Sequence, residues 1–412
     1  MLASCLLGAV LLAADAPPAG SNPTASAISL ADARARALGA GPDVVLADLR
    51  AQLARTEVEV AGALANPTLG VQTARLSAKL TASLGVPLPL FGQRQTAVAA
   101  AGASAEAAHL DIDASRLDAR WNATHAWLDL WEAQEKASLL DAAATDMGRL
   151  AEIAQERFAA GTGPNVDVIR TGGDRARARA EATAAAGVVP GFAVRLAVWL
   201  GPDTPGTLQA TGPIELGPLP SEPEAMKRLY AQHPALRRDR AQAEAAAARV
   251  RAEQRSRWPV VTANLAVAAG DPTLPGTDVL AGVSFDPPLL NQRKGPIARA
   301  RAEQTLADWT TEIDLRRLAA DLVAGYQQSE SAAARARTLT DDVIPALEKA
   351  RQMTEEGYRD GRVDLLRLLE AQSAVRDAKI ASVEARAAWQ RARADVERAV
   401  GALPAGGTSS GP

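Results

Sequence analysis

The chain has 412 residues, so length alone leaves room for more than one ordinary domain. Apolar residues make up 47% and aromatic residues only 3%, with Ala dominant, a balance that reads as long helices packed through small side chains. A formal charge of −3 and a pI near 5.8 argue against nucleic acid as the main partner, because no net basic footprint exists. The single cysteine, Cys5, excludes an intrachain disulfide. His109, His125 and His233 lack ligand spacing, so a dedicated His/Cys metal site is not expected.

In chain order, residues Leu2 to Ala14 form an apolar run too short to span a bilayer and resembling the core of a signal peptide, which predicts a leader at 1–16 and an N-terminal segment at 17–28. Leu2-Ala3-Ser4-Cys5 also reads as a lipobox, which would make Cys5 a lipid anchor, but the apolar stretch after Cys5 argues against it. No later segment offers about 20 continuous apolar residues, the length a transmembrane helix needs. Residues 29–63 read as helix. Next, Leu69 to Thr73 alternates weakly. Leu80, Ala82, Leu84 and Val86 alternate clearly with Thr81, Ser83 and Gly85, the period-two pattern of a strand with one apolar face. A very long helical stretch covers about 95–160, a turn falls at Gly161, and a shorter helix runs over about 165–199. The Gly- and Pro-rich segment 201–223 reads as a connector.

The same plan then recurs. Pro42 matches Pro234, and Asn66-Pro67 matches Trp258-Pro259, both at an offset of 192. Pro89-Leu90-Phe91-Gly92-Gln93-Arg94 matches Pro288-Leu289-Leu290-Asn291-Gln292-Arg293 at 199, and Phe158-Ala159-Ala160-Gly161 matches Tyr358-Arg359-Asp360-Gly361 at 200. The second copy therefore predicts a helix at 221–256, strands at Val261–Val267 and Val279–Phe285, a long helix at 297–360 kinked by Pro345, and a helix at 365–401. Asp271-Pro272 to Pro275-Gly276 marks its hairpin turn. The implied organisation is a first repeat at 29–200, a connector at 201–223, a second repeat at 224–401 and a disordered tail at 402–412.

The lengths fit together. A 65-residue helix runs about 100 Å, beyond any globular core, and two flanking helices of about 35 residues cover a similar distance end to end. Four strands cannot close a barrel, and open edges cannot face lipid. Other copies must then complete the sheet, with Leu80, Ala82, Leu84 and Val86 toward lipid and Thr81, Ser83 and Gly85 toward a lumen. Trp121, Trp127, Trp131, Trp309 and Tyr326 read as packing residues. No Gly-rich phosphate loop, GxSxG or HExxH is present, so neither an enzyme nor a bound cofactor is expected.

The aromatic-x-x-Gly pattern at Phe158–Gly161, followed by Asp167-Val168-Ile169, and its second copy at Tyr358–Gly361, followed by Leu368-Leu369-Glu370-Ala371-Gln372, resembles the TolC-type outer-membrane factor family over residues 29–401. Kinship to its heavy-metal, CzcC-like branch is one reading. The resemblance implies a mainly α-helical fold with a small membrane β part. It implies a homotrimer with a 12-stranded β-barrel in the outer membrane above a long α-helical periplasmic barrel. Phe158, Gly161, Tyr358 and Gly361 would form the tips that meet a periplasmic membrane-fusion adaptor, itself joined to an inner-membrane pump. Family members often carry acidic residues six and nine positions after the second-repeat glycine, at the closed entrance. Those positions are Arg367 and Glu370 here, and Asp167 and Arg170 in the first repeat. Arg367 departs from the pattern and stands near enough in sequence either to pair with Glu370 or to reverse the local field. The implied function is a passive exit duct for small molecules or metal ions. A non-pore coiled-coil scaffold and the pump's adaptor protein are the alternatives.

Overall fold

The computed structural model describes residues 26–73, 80–270 and 276–401. Cys5, the leader reading over 1–16, most of the 17–28 segment, the turn at Asp271–Pro275 and the tail reading over 402–412 lie outside the described residues. The first half runs β1 (Ser26–Ser29), α1 (Leu30–Ala40), α2 (Pro42–Gly62), β2 (Thr68–Gln72), β3 (Leu80–Leu88), α3 (Gln93–Ala159) and α4 (Asn165–Leu200). After β4 (Leu208–Thr211) the second half follows the same order: α5 (Glu222–Gln232), α6 (Pro234–Arg255), β5 (Val261–Ala269), β6 (Thr277–Phe285), α7 (Lys294–Thr338), a π-helical turn at Leu339–Val343, α8 (Ile344–Arg359) and α9 (Leu365–Val400).

Three features depart from the sequence expectations. The helix expected over 29–63 is broken between α1 and α2, and the one over 221–256 between α5 and α6. In each case an extended residue, Gly41 or His233, precedes a proline at the first helical position, where its missing N–H has no partner to lose. The connector is not merely a linker, because β4 pairs in parallel with β1, Ser26 opposite Leu208. Thirdly, α4 contains an 18-residue stretch apolar enough, by length and composition, to cross a membrane. Its apolar residues are mostly Ala and Val, interrupted by Gly187, Pro190, Gly191 and Arg195, so no continuous run marks it in the sequence. The irregularity expected from Pro345 is present as the π turn just before it, at the start of α8.

With 67 residues, α3 is about 100 Å long and forms the spine. It packs along α1 and α2, α4, α6 and α9, while α9 packs along α7 and α8. Small side chains make these approaches possible. A Cβ on Gly325 of α7 would lie 2.9 Å from Val396 Cγ2 of α9, and Ala119 and Ala123 of α3 are fully buried against Ala37 and Val44. The largest core sits beside the β1–β4 pair and holds Trp127, Leu128, Leu130, Trp131, Leu196 and Trp389. There the Trp127 indole N–H donates to the Ile28 carbonyl at 3.0 Å, tying the small sheet to the spine. Trp127, Trp131 and Tyr326 are buried, as a packing role requires, whereas Trp309 is exposed in the single chain.

Candidate functional site

Two ends of the molecule carry the geometry that a duct requires. At one end, β2, β3, β5 and β6 form an antiparallel sheet in that order, and the two β-hairpins join through β3 and β5. The register sets apolar rows side by side: Leu69, Leu84, Leu265 and Ala281 in one, Val71, Ala82, Val267 and Val279 in another. The opposite face is small or polar apart from Leu280 and Pro87. Thr68, Gly85, Asn264 and Gly282 share a row, and the Asn264 side-chain N–H donates to Ser284 Oγ at 2.8 Å. A Cβ on Gly85 would lie 2.7 Å from Thr68 Oγ1 and 3.1 Å from Asn264 Oδ1, so those side chains would have to shift to admit one. Leu80, Ala82, Leu84 and Val86 thus share one face and Thr81, Ser83 and Gly85 the other. The apolar side is open, with Leu69, Val71, Val279, Val283 and Phe285 all exposed. Within the single chain, β2 and β6 are edge strands with no further strand beyond them.

At the other end the two helix reversals have the same backbone. In the first, Gly161 N–H donates to Phe158 O at 3.0 Å and Thr162 N–H to Arg157 O at 2.9 Å. In the second, Gly361 N–H donates to Tyr358 O at 3.0 Å and Arg362 N–H to Gly357 O at 2.8 Å. Both are Schellman closures, and Gly161 and Gly361 supply the left-handed residue with φ +73° and +75°. The aromatic-x-x-Gly pattern therefore has a local cause: the glycine ends the helix, and the aromatic carbonyl accepts its N–H.

The two aromatic side chains differ. Phe158 is 43% exposed, while Tyr358 is 1% exposed in a core with Leu150, Leu365 and Leu368. The Tyr358 hydroxyl donates to Asp167 Oδ2 at 3.3 Å, which binds the second reversal to the start of α4. Burial, followed by the negative charge of Asp167, pushes the Tyr358 hydroxyl above its ordinary pKa. Arg157 completes the link. Its guanidinium lies 4.5 Å from the Tyr358 ring centroid, donates to the Tyr358 carbonyl at 3.0 Å and donates to the Thr162 carbonyl at 3.2 Å. Sequence reasoning passed over Arg157, and the match to Gly357 in the second copy hid it.

Of the four candidate entrance charges, Asp167 is thus engaged with Tyr358. Arg170 is half-exposed and 3.9 Å from Asp174 on its own helix. Arg367 does not pair with Glu370, as its sequence position had suggested. Its carboxylate neighbour is Asp364, at 4.0 Å, which also caps α9 by accepting the Arg367 backbone N–H at 3.2 Å. A side chain in the first turn of a helix lies over the cap that precedes it, which favours Asp364 over a residue one turn further on. Glu370 is exposed and makes no ion pair among the described residues.

A long helical body with an open four-stranded sheet at one end and paired glycine reversals at the other defines a class of envelope conduit. The family model for outer membrane efflux proteins matches residues 33–201 and 225–402, and the chain belongs to that family. The cobalt-zinc-cadmium resistance protein CzcC of Cupriavidus metallidurans is 26% identical over 373 residues, covering 89% of each chain. Among solved structures, the Campylobacter jejuni CmeC outer membrane channel superposes with a TM-score of 0.77 at 14% identity, over 90% of this chain and 85% of that one. VceC of Vibrio cholerae superposes with a TM-score of 0.71 at 18% identity, over 90% and 96%. The protein is the outer-membrane channel component of a tripartite efflux pump, and its place is the outer membrane. The scaffold and adaptor alternatives fall with that assignment.

Proposed function

We propose that three copies of this chain close one duct, each giving four strands to a 12-stranded barrel, and that metal ions pass through it passively, driven by an inner-membrane transporter. The observation that carries this reading is the pair of open edges at β2 and β6 beside an exposed apolar face. Unpaired backbone groups cost several kcal/mol each in hydrocarbon, so the sheet is stable in a membrane only when neighbouring copies cover both edges. The face with Leu80, Ala82, Leu84 and Val86 turns to lipid, and the Thr81, Ser83 and Gly85 face lines the lumen. The reversals at Gly161 and Gly361 are the periplasmic tips and meet the adaptor, with Phe158 as the accessible ring. Asp167, Arg170, Arg367 and Glu370 lie within one or two turns of those tips and set the charge of the entrance. The likeness to CzcC supports metal ions as the cargo class.

Light scattering of the detergent-purified protein tests the assembly. The expected protein mass is three times that of the processed chain, itself below the 42.8 kDa of the full sequence. A stable monomer of full-length processed protein would sink the closed barrel. Deletion of the gene should sensitise cells to cobalt, zinc or cadmium, and unchanged tolerance to all three would remove the cargo assignment while leaving the duct intact.

A further inference from the structure

We infer that the junction of the second hairpin with its helices holds an anionic phospholipid headgroup of the periplasm-facing leaflet, bound by Arg255, Arg257, Lys294 and Arg301. The inference rests on the sheet spanning the membrane as proposed above. On the helix side β3, β5 and β6 end together, with Leu88, Val261 and Phe285 as the last paired row, while β2 starts further in, Thr68 opposite Gly85. A cleft of about 580 Å³ opens just below that row, between α6 and α7. Its lining includes those four cations together with Trp258 and Gln292.

Charge is the first argument. Arg293 beside the cleft is bound to Glu253 at 2.8 Å. Arg255, Arg257, Lys294 and Arg301 make no ion pair among the described residues, and all four are exposed in the single chain. Four uncompensated cations around one cleft repel one another and favour an anion between them. Guanidinium forks match the geometry of phosphate oxygens.

The second argument is the setting. Trp258 stacks on Phe91 with ring centroids 5.5 Å apart, and Gln93 of the other half donates to the carbonyls of Trp258 and Pro259 at 3.2 Å. This fixes an aromatic pair at the edge of the apolar band, where amphipathic rings settle at headgroup level. Leu289 and Leu290 project nearby into solvent in the single chain and suit acyl chains. The third argument is the internal duplication. At the same offsets of 192 and 199, the first half carries Ala63, Ala65, Gln95 and Gly102 where the second carries the four cations. At these four positions one copy of the duplicated junction is basic and the other neutral, although Arg94 stays in the first, so the hairpin architecture itself does not require the four charges.

The test is native mass spectrometry of the detergent-purified assembly, offered phosphatidylglycerol, phosphatidylcholine or inorganic phosphate. The intact protein should retain phosphatidylglycerol about tenfold more than phosphatidylcholine, as expected for a few favourable surface cations. Arg257→Gln with Arg301→Gln should abolish that preference, and Arg257→Lys with Arg301→Lys should keep most of it. Equal retention of the two lipids by the native protein would overturn the inference. So would saturation of the cleft by inorganic phosphate without lipid preference. Loss of the assembly's mass in the Gln variant, with no lipid selectivity in the native protein, would show that the cations face a sister chain's carboxylates instead. Outer-membrane fractionation of the same proteins separates the two levels: normal fractionation without selectivity faults the cleft alone, and absence from the outer membrane faults the placement.

Discussion

The reversals at Gly161 and Gly361 use one backbone solution in two surroundings. Both end a helix through the same pair of hydrogen bonds and a left-handed glycine. Yet the ring three residues before the glycine is open at Phe158 and sealed at Tyr358. The difference comes from the partner half. Leu150, Arg157 and Asp167 all belong to the first half, and all close on Tyr358. Duplication supplied two equal turns, and mutual packing then made one of them the anchor and left the ring of the other exposed.

Truncation of the anchor is the strongest way to break this asymmetry. Tyr358→Ala should destabilise the tip region by about 3–5 kcal/mol, because it empties a packed site and strands the Asp167 carboxylate. Phe158→Ala should change stability by less than about 0.5 kcal/mol and should instead weaken adaptor binding. Hydrogen exchange of the tip amides and a pull-down with the adaptor read the two effects separately. Equal losses of protection in the two variants would remove the division of roles.

Gly361→Val comes next. A β-branched residue forced to φ +75° costs about 1–2 kcal/mol, a strain confined to the turn. Adaptor docking or assembly should weaken while insertion in the outer membrane is kept, checked by fractionation beside a resistance assay. Normal resistance would count against Gly361 as a docking tip.

The turns themselves were legible in the sequence, since Gly161 and Gly361 mark abrupt stops in long Ala-rich helices at matched positions. The strands were legible for a similar reason: Leu80, Ala82, Leu84 and Val86 alternate with small or polar neighbours, and the side-chain period of a strand is two. What the sequence concealed depends on distant contact. Nothing local separates Phe158 from Tyr358 as ring-x-x-Gly motifs, and Arg157 acts across about 200 positions of chain, on Tyr358. The β1–β4 pairing escaped notice because each strand has only four residues, too few for a periodic pattern. Arg367 shows the opposite error. Its nearness to Glu370 suggested a pair, but the helix cap at Asp364 sits closer to the direction in which its side chain leans.

The finest test of the asymmetry is a single oxygen. Tyr358→Phe keeps the ring, its packing and the Arg157 contact, and removes only the hydroxyl that donates to Asp167. The loss should be about 0.5–1.5 kcal/mol, as for one ordinary hydrogen bond. Alkaline titration reads the same hydroxyl a second way, through its burial first and the Asp167 charge next. The folded hydroxyl titrates above its usual value of 10.0, so the folded state binds its proton more tightly than the unfolded state does. Its stabilising contribution is complete below pH 10.0 and is lost as the pH rises through the raised folded value, where a phenolate would face the Asp167 carboxylate. Tip protection in the native protein should therefore fall in that alkaline range, while Tyr358→Phe should show a lower but flatter profile. The Phe158 turn has no titrating hydroxyl and should be indifferent in both proteins. Parallel alkaline profiles for native protein and variant would mean that the Tyr358–Asp167 bond does not hold the second reversal to α4, leaving Arg157 and the leucine core to explain why that ring alone is sealed.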